Sequence, residues 1–146
     1  MKKCCRLLPF SCLLVLIAFV LHLSWEIGHS PLYEWNPSID FYIPFISFVA
    51  LKDALWSLVF FFVTATILRD HNWPENKKAG YYIMTLCGLV FATAIEIHAT
   101  SSGRWQYNEW MPVIPLLRVG LTPIIQMSLI PSLAAFIAQR ILRAQK

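Results

Sequence analysis

Four long apolar runs, separated by shorter polar stretches, dominate the pattern of hydrophobic and polar positions along the chain. Each run has about the ~20 residues that an α-helix needs to cross the ~30 Å hydrocarbon core of a bilayer. The pattern therefore predicts an all-α protein in which one transmembrane domain of 146 residues forms a membrane four-helix bundle. The predicted spans cover about residues 7–27, 45–68, 80–99 and 111–137.

The fourth run is rich in proline. Pro112 and Pro115 lie where a helix would begin, a position that tolerates the missing backbone N–H. Pro123 and Pro131 lie further along and should each kink the helix and free a backbone carbonyl. Gln126 is close enough in sequence to satisfy such a carbonyl. We therefore expect a proline-kinked fourth helix.

The distribution of Lys and Arg indicates how the bundle is oriented. Nine of the twelve basic residues precede span one, lie between spans two and three, or follow span four. Basic loops stay on the cytoplasmic side, so both termini are expected there, and the first apolar run is too long for a signal peptide and is expected to stay uncleaved. These nine residues are Lys2, Lys3, Arg6, Arg69, Lys77, Lys78, Arg140, Arg143 and Lys146.

Composition excludes several classes of protein. A soluble domain of this size could not bury a chain that is 58% hydrophobic, because it needs a polar exterior. The basic residues form small groups beside apolar runs, which argues against nucleic-acid binding and leaves the lipid bilayer as the expected partner. The four cysteines have no CxxC or metal-knuckle spacing, so we expect neither a disulfide nor a structural metal.

Ionisable side chains inside the spans are the main candidates for function, because such groups are costly in a membrane and mark functional sites. Under the expected orientation they all lie in the outer half of the bilayer. They are His22, Glu26, Lys52, Asp53, Glu96, His98 and Arg118. Two further histidines, His29 and His71, fall in predicted loops and are expected to be solvated.

Helical spacing narrows this set. His22 and Glu26 are four residues apart and share a helix face, with Trp25 at its border. Glu96 and His98 are two residues apart and point in nearly opposite directions, so only one can face the interior. The deeper position favours Glu96 and leaves His98 at the interface.

Two interpretations of the cluster remain open. In the first, a polar pocket is lined by His22, Glu26, Asp53, Glu96 and Arg118, where carboxyl groups act as general acids or bases. A metal is the less favoured occupant, because no dense His or Cys spacing supports it. In the second, Arg118 and Lys52 neutralise the carboxylates in a salt-bridge network that only fixes helix packing.

Two motifs carry a resemblance to a known group of proteins. The first is Trp25-Glu26 followed by Pro31-Leu32-Tyr33, and the second is Trp105-x-Tyr107, Met111-Pro112, Pro115, Gly120-Leu121-x-Pro123 and Gln126. Together with Asp53 and Glu96, they resemble a family of small four-helix inner-membrane proteins of bacteria. The resemblance implies the fold and a location in the bacterial cell membrane, but no activity. Its second motif adds Trp105, Tyr107 and Gln126 to the candidate pocket residues.

The sequence leaves three functions open. One is an enzyme acting on, or a protein binding, a lipid-soluble ligand such as an isoprenoid, with catalysis by Glu26, Glu96 and Asp53. Another is a transporter-like permease, which would have to dimerise because four spans are few. The third is an accessory or assembly subunit bound to another membrane protein. No cofactor is indicated by any motif.

Overall fold

Four long helices and one short helix make up most of the chain. The structure is a computed structural model that describes residues 7–34 and 38–145. The helices are α1 (Leu7–His29), α2 (Ile39–Leu68), α3 (Trp73–Asn76), α4 (Ala79–Ser101) and α5 (Leu121–Ala144), with a 3₁₀ turn at Ser30–Leu32 and two short paired strands, β1 (Val113–Ile114) and β2 (Val119–Gly120). Lys2, Lys3, Arg6 and Lys146, on which the predicted orientation partly rests, lie outside the described residues, as do Cys4 and Cys5.

The all-α four-helix bundle predicted from the sequence is confirmed. Helices α1, α2, α4 and α5 are each long and apolar enough to cross a membrane, as expected of a multi-pass membrane protein. Their lipid-compatible outer surface exposes large apolar side chains, whereas many of the buried positions are small. Small residues let helix backbones approach closely, which is how helices associate without a hydrophobic driving force. The buried alanines in the helices are Ala18, Ala50, Ala54, Ala65, Ala92, Ala99, Ala134, Ala135 and Ala138.

The fourth span begins later than predicted. Residues 111–120 are not helical, because strands β1 and β2 pair antiparallel and the turn between them closes with Arg118 N–H donating to Ile114 O at 2.8 Å. Helix α5 starts only at Leu121, so Pro123 lies in its first turn, where its missing N–H costs little. Pro131 alone lies inside α5, and the predicted kink there stays a prediction.

The second span begins earlier than predicted. Helix α2 starts at Ile39 and includes Pro44, a residue that was expected to end the preceding loop. Only the helical hydrogen bond that the Pro44 nitrogen would donate is lost, close to the helix start. The extra turn brings Tyr42 to Ser30, whose hydroxyl lies 2.7 Å from the Tyr42 hydroxyl.

Helix α4 approaches the backbone of α5 closely at Gly88. A Cβ added at Gly88 would lie 1.9 Å from the backbone oxygen of Met127, so no other residue fits without moving a helix. Helix α1 packs between α2 and α5, and α4 packs mainly on α5, whereas α2 and α4 contact each other less extensively. This uneven packing positions the residues described below.

The connection between α2 and α4 is anchored in the bundle. The short helix α3 carries Trp73, which is fully buried against Phe61 and Tyr81, with ring centroids 5.7 and 5.0 Å away. Gly80 lies flat on the indole, because an added Cβ would be 2.0 Å from its Cε3. We call this end of the bundle the Trp73 end, and the opposite end, where α1 and α4 finish and α2 and α5 begin, the polar end.

Candidate functional site

A glutamine joins three helices at the polar end. The amide nitrogen of Gln126, on α5, lies 2.8 Å from Glu26 Oε1, 3.1 Å from His22 Nδ1 and 3.4 Å from Asp53 Oδ2. Gln126, His22 and Glu26 are buried, and Asp53 is half-buried. The first turns of α5 bring this amide to α1 and α2 because α1 packs between the other two helices.

The hydrogen bonds around His22 fix its tautomer. Ser57 Oγ donates to the backbone oxygen of Asp53 at 2.9 Å, so its oxygen is left to accept from His22 Nε2–H at 3.1 Å. The other ring nitrogen, Nδ1, then faces the Gln126 amide and accepts from it. A neutral His22 satisfies every contact, whereas a protonated ring would set two donors against each other. His22 therefore orients its neighbours. We call His22, Glu26, Asp53, Ser57 and Gln126 the polar cluster.

The donors and acceptors of the polar cluster do not match in number. The Gln126 amide has two N–H groups, yet three acceptors surround it, and the longest contact is the one to Asp53. The carboxyl groups of Asp53 and Glu26 also lie within hydrogen-bonding reach of each other. Two carboxyl groups can hydrogen-bond to each other only when a proton lies between them, so a shared proton would satisfy this arrangement.

A third carboxyl group, Glu96 of α4, has its own donors. Its Oε2 accepts from the Tyr107 hydroxyl and from Trp105 Nε1, the latter at 3.4 Å. Burial first, and then the hydrogen bond to Glu96, raises the pKa of Tyr107 to about 12, so this hydroxyl keeps its proton at physiological pH. Glu96 and Glu26 are close enough for their charges to repel. We call Glu96, Trp105 and Tyr107 the Glu96 site.

The loop that carries these donors is held in place by the backbone. Tyr33 and Tyr107 form an antiparallel bridge, with Glu34 N–H donating to Gln106 O and Asn108 N–H to Leu32 O, each at 3.0 Å. The Tyr33 ring lies against the Tyr107 ring, with centroids 5.5 Å apart. Burial, and next the nearby Glu96 carboxylate, raises the pKa of Tyr33 well above its ordinary value.

Aromatic rings connect the polar cluster with the Glu96 site. The His29 ring lies 6.5 Å from the Trp25 ring and 5.6 Å from the Tyr33 ring, and Tyr33 in turn meets Trp105 edge-on at 6.3 Å. Among the described residues, the Trp25 indole N–H is buried and has no hydrogen-bond partner. The site therefore combines buried polar side chains with a set of aromatic rings that pack beside them.

The cations predicted to neutralise the carboxylates lie elsewhere. Arg118 is exposed on the turn between β1 and β2, where its φ is 55°, and the Lys52 ammonium lies outside the bundle, 5.4 Å from the centre of the Phe48 ring. Within residues 7–34 and 38–145, no Lys or Arg lies within ion-pair distance of Glu26, Asp53 or Glu96. The structure brings together all the other predicted site residues: His22, Trp25, Glu26, Asp53, Glu96, Trp105, Tyr107 and Gln126.

Sequence reasoning missed two contributors and misplaced a third. Ser57 is four residues after Asp53 and so shares its helix face, a signal that was available. Tyr33 belonged to a recognised motif but was not assigned to the site. His29 is not a solvated loop residue as predicted: it is the last residue of α1, it is buried, and its Nε2 lies 3.9 Å from Glu26 Oε2. The structure leaves His98 exposed and buries Glu96, the arrangement favoured by their spacing.

The candidate site does not resemble a metal centre. In the described part of the chain, no group of three or more His, Cys, Asp or Glu residues is arranged to hold a metal ion. In comparisons with known proteins, no family model, curated protein or solved structure matches this chain.

Proposed function

We propose that this protein is a membrane enzyme that transfers protons to or from a lipid-soluble substrate, such as an isoprenoid, with Glu26 and Asp53 as the acid–base pair. The observation that carries the proposal is the placement of these two carboxyl groups around one neutral amide, with no Lys or Arg within ion-pair distance of them in the described residues. A carboxyl pair that shares one proton can take up a proton from a bound molecule and return it at another atom.

The cost of this arrangement supports a chemical role. An uncompensated carboxyl group inside a membrane bundle costs several kcal/mol, and an apolar residue of similar size would pack there more favourably. A purely structural network would pair its charges, which was the alternative interpretation of the sequence. Since neither Arg118 nor Lys52 forms an ion pair with these acids in the described residues, charge pairing does not account for their presence.

Glu96 has a different part in the proposal. Its Oε2 accepts two hydrogen bonds, from Trp105 and Tyr107. When ionised, Glu96 would stabilise the positive charge that develops near the Glu26–Asp53 pair as an alkene-like substrate is protonated. Glu96 would thus act as an electrostatic catalyst while the carboxyl pair moves the proton.

Location and orientation belong to the same proposal. The resemblance to bacterial proteins and the distribution of basic residues favour a multi-pass protein of the bacterial inner membrane with both termini in the cytoplasm. The polar end would then lie in the outer half of the membrane, within reach of substrates that are dissolved in the outer leaflet.

The proposal is tested by comparing the membrane lipids of strains that overproduce the protein or its variants. We expect mass spectrometry to find lipid-soluble species that change with the wild type but not with Glu26→Gln, Asp53→Asn or Glu96→Gln. Glu109→Gln, at an exposed carboxylate of the same end, is the matched control and should behave as wild type. Identical lipid and isoprenoid profiles for wild type and Glu26→Gln, at equal protein levels, would refute the enzyme.

A proton-coupled permease is the second candidate, because a carboxyl pair sharing one proton also suits coupling to a proton gradient. Such a permease would act as a homodimer, whereas an assembly subunit would co-purify with another membrane protein. Proton uptake into vesicles that contain the purified protein, abolished by Asp53→Asn, is the result that would favour the permease. A strictly monomeric species in mild detergent would count against it.

A further inference from the structure

We infer that the seam between α2 and α4 is a lateral entrance from the bilayer, and that Asp53 is the carboxyl group a lipid-soluble substrate meets first. This inference rests on the proposed function for the identity of the substrate, whereas the entrance itself is inferred from the packing of α2 and α4. It also divides the roles within the acid pair, with Asp53 at the entrance and Glu26 behind it.

Asp53 lies on the same face of α2 as two aromatic residues that contact α4. Counting back from Phe60, Trp56 and Asp53 are four and seven residues away, so all three form one stripe along the helix. Phe60 and Trp56 both contact the ring of Phe91 on α4, with centroids 5.4 and 4.2 Å away. Asp53 therefore lies on the side of α2 that faces α4, one turn nearer the polar end.

A corresponding stripe of side chains lies on the face of α4 that carries Phe91. Ile95 and His98 follow Phe91 at four and seven residues, so they lie on the same face of the helix. Ile95 is 41% exposed, and His98 is exposed as well. Trp56, which contacts Phe91, is itself 40% exposed. The seam between α2 and α4 is therefore only partly covered, both where the rings of Trp56 and Phe91 meet and beside Asp53.

The three acids of the site are buried to different extents. Glu26 and Glu96 are 8% and 4% exposed, whereas Asp53 is only half-buried. Asp53 also makes the longest of the Gln126 contacts, at 3.4 Å, so the amide holds it less closely than it holds Glu26. Apolar side chains of both helices line the seam. Such a surface favours an apolar substrate that approaches through lipid rather than through water.

A hydrophobic carbodiimide tests the entrance without knowledge of the substrate. Dicyclohexylcarbodiimide partitions into bilayers, and a protonated carboxyl group adds across one of its C=N bonds. The resulting O-acylisourea rearranges to a stable N-acylurea, so the protein gains the whole reagent and nothing leaves. With the protein in phospholipid vesicles, we expect peptide mass spectrometry to find the adduct on Asp53 before Glu26 or Glu96. Asp53→Asn should remove that adduct.

Obstruction of the seam gives the decisive comparison. Ile95→Trp adds bulk opposite Asp53 and should slow the labelling of Asp53 by about tenfold, because the larger side chain would narrow the opening between α2 and α4. Leu86→Trp, an equally large change at an exposed site on the far side of α4, is the control and should label as wild type. A water-soluble carbodiimide should leave Asp53 unmodified over the same period.

Three results would overturn the entrance: preferential labelling of Glu26 or Glu96, equal labelling of the Ile95→Trp and Leu86→Trp variants, or equally fast labelling by the water-soluble reagent. These results are separate from the test of the enzyme, which measures lipid composition. Normal labelling of the seam without any effect on membrane lipids would support the entrance and contradict the proposed activity. An effect on membrane lipids without the expected labelling would support the activity and contradict the entrance.

Discussion

Replacing Gly88 with alanine tests the close contact between α4 and α5. The added Cβ would lie 1.9 Å from the backbone oxygen of Met127 and 2.8 Å from its carbonyl carbon. Ordinary contacts begin near 3.4 Å, so α4 and α5 would have to separate locally by about 1.5 Å. Backbone atoms cannot rotate away as a side chain can, so the substitution must displace a helix.

The magnitude follows from two opposing terms. Overpacking costs ~1–3 kcal/mol, and the rigid backbone puts Gly88→Ala at the upper end, while alanine regains ~1 kcal/mol of helix propensity over glycine. The net expectation is a loss of about 2 kcal/mol. Gly28→Ala is the matched control, because Gly28 lies in α1 with no atom within 4 Å of an added Cβ, and it should gain up to ~1 kcal/mol.

The assay is reversible unfolding in mixed micelles, followed by circular dichroism as the denaturing detergent increases. The two variants should differ by about 3 kcal/mol, which is more than a hundredfold in the unfolding equilibrium. Because Met127 adjoins Gln126, the same displacement should lengthen the 2.8 Å contact to Glu26 beyond hydrogen-bonding distance. If Gly88→Ala proved as stable as Gly28→Ala, the close approach of α4 and α5 would be wrong.

Three further predictions concern the polar end. Gln126→Leu should lower the unfolding free energy by about 2–3 kcal/mol in the same assay, since it leaves buried acceptors, Glu26 among them, without a donor. Tyr107 has a pKa of about 12, against 10.0 for an ordinary tyrosine, so the folded state keeps a proton that the unfolded state loses. Stability should therefore fall as pH rises between these values, and less steeply in Tyr107→Phe. Arg118→Gly should raise stability by up to ~1 kcal/mol, because it relieves the positive φ, and should leave the lipid profile as in wild type.

Each of these three predictions would be contradicted by a specific result. Unchanged stability of Gln126→Leu would mean that the amide does not serve the buried acids. An identical alkaline loss of stability in Tyr107→Phe would mean that Tyr107 is not the group that titrates. Loss of activity in Arg118→Gly, to the extent seen in Glu26→Gln, would restore Arg118 to the site from which the structure separates it.

The number and nature of the long helices could be predicted from sequence because hydropathy over ~20 residues reflects a single physical requirement. The boundaries of α5 could not. The segment from Met111 to Gly120 is as apolar as a span, so hydropathy continues through it without a break. What separates it from the helix is backbone hydrogen bonding in a two-stranded hairpin, together with a left-handed turn at Arg118, and neither leaves a mark on average hydropathy.

The site was partly predictable for a similar reason. Local spacing paired His22 with Glu26 and separated Glu96 from His98, since helix geometry alone decides which neighbours share a face. The partners of Glu96 come from a loop, and their positions depend on the bridge between Tyr33 and Tyr107, which is distant in sequence. Arg118 was misjudged because charge pairing was inferred from depth in a helix that does not include this residue.

The polar cluster is divided between two helical hairpins, and this has a consequence for biogenesis. Glu26 and Asp53 belong to the first hairpin, α1 and α2, whereas Gln126 belongs to α5 and is the last part of the cluster to leave the ribosome. Until α5 inserts, the two acids lack the amide that hydrogen-bonds to them in the complete fold. Docking of the second hairpin therefore completes the hydrogen bonding of the first. A chain that lacks α5 should remain in the membrane as an acid-bearing intermediate, open to recognition by membrane proteases.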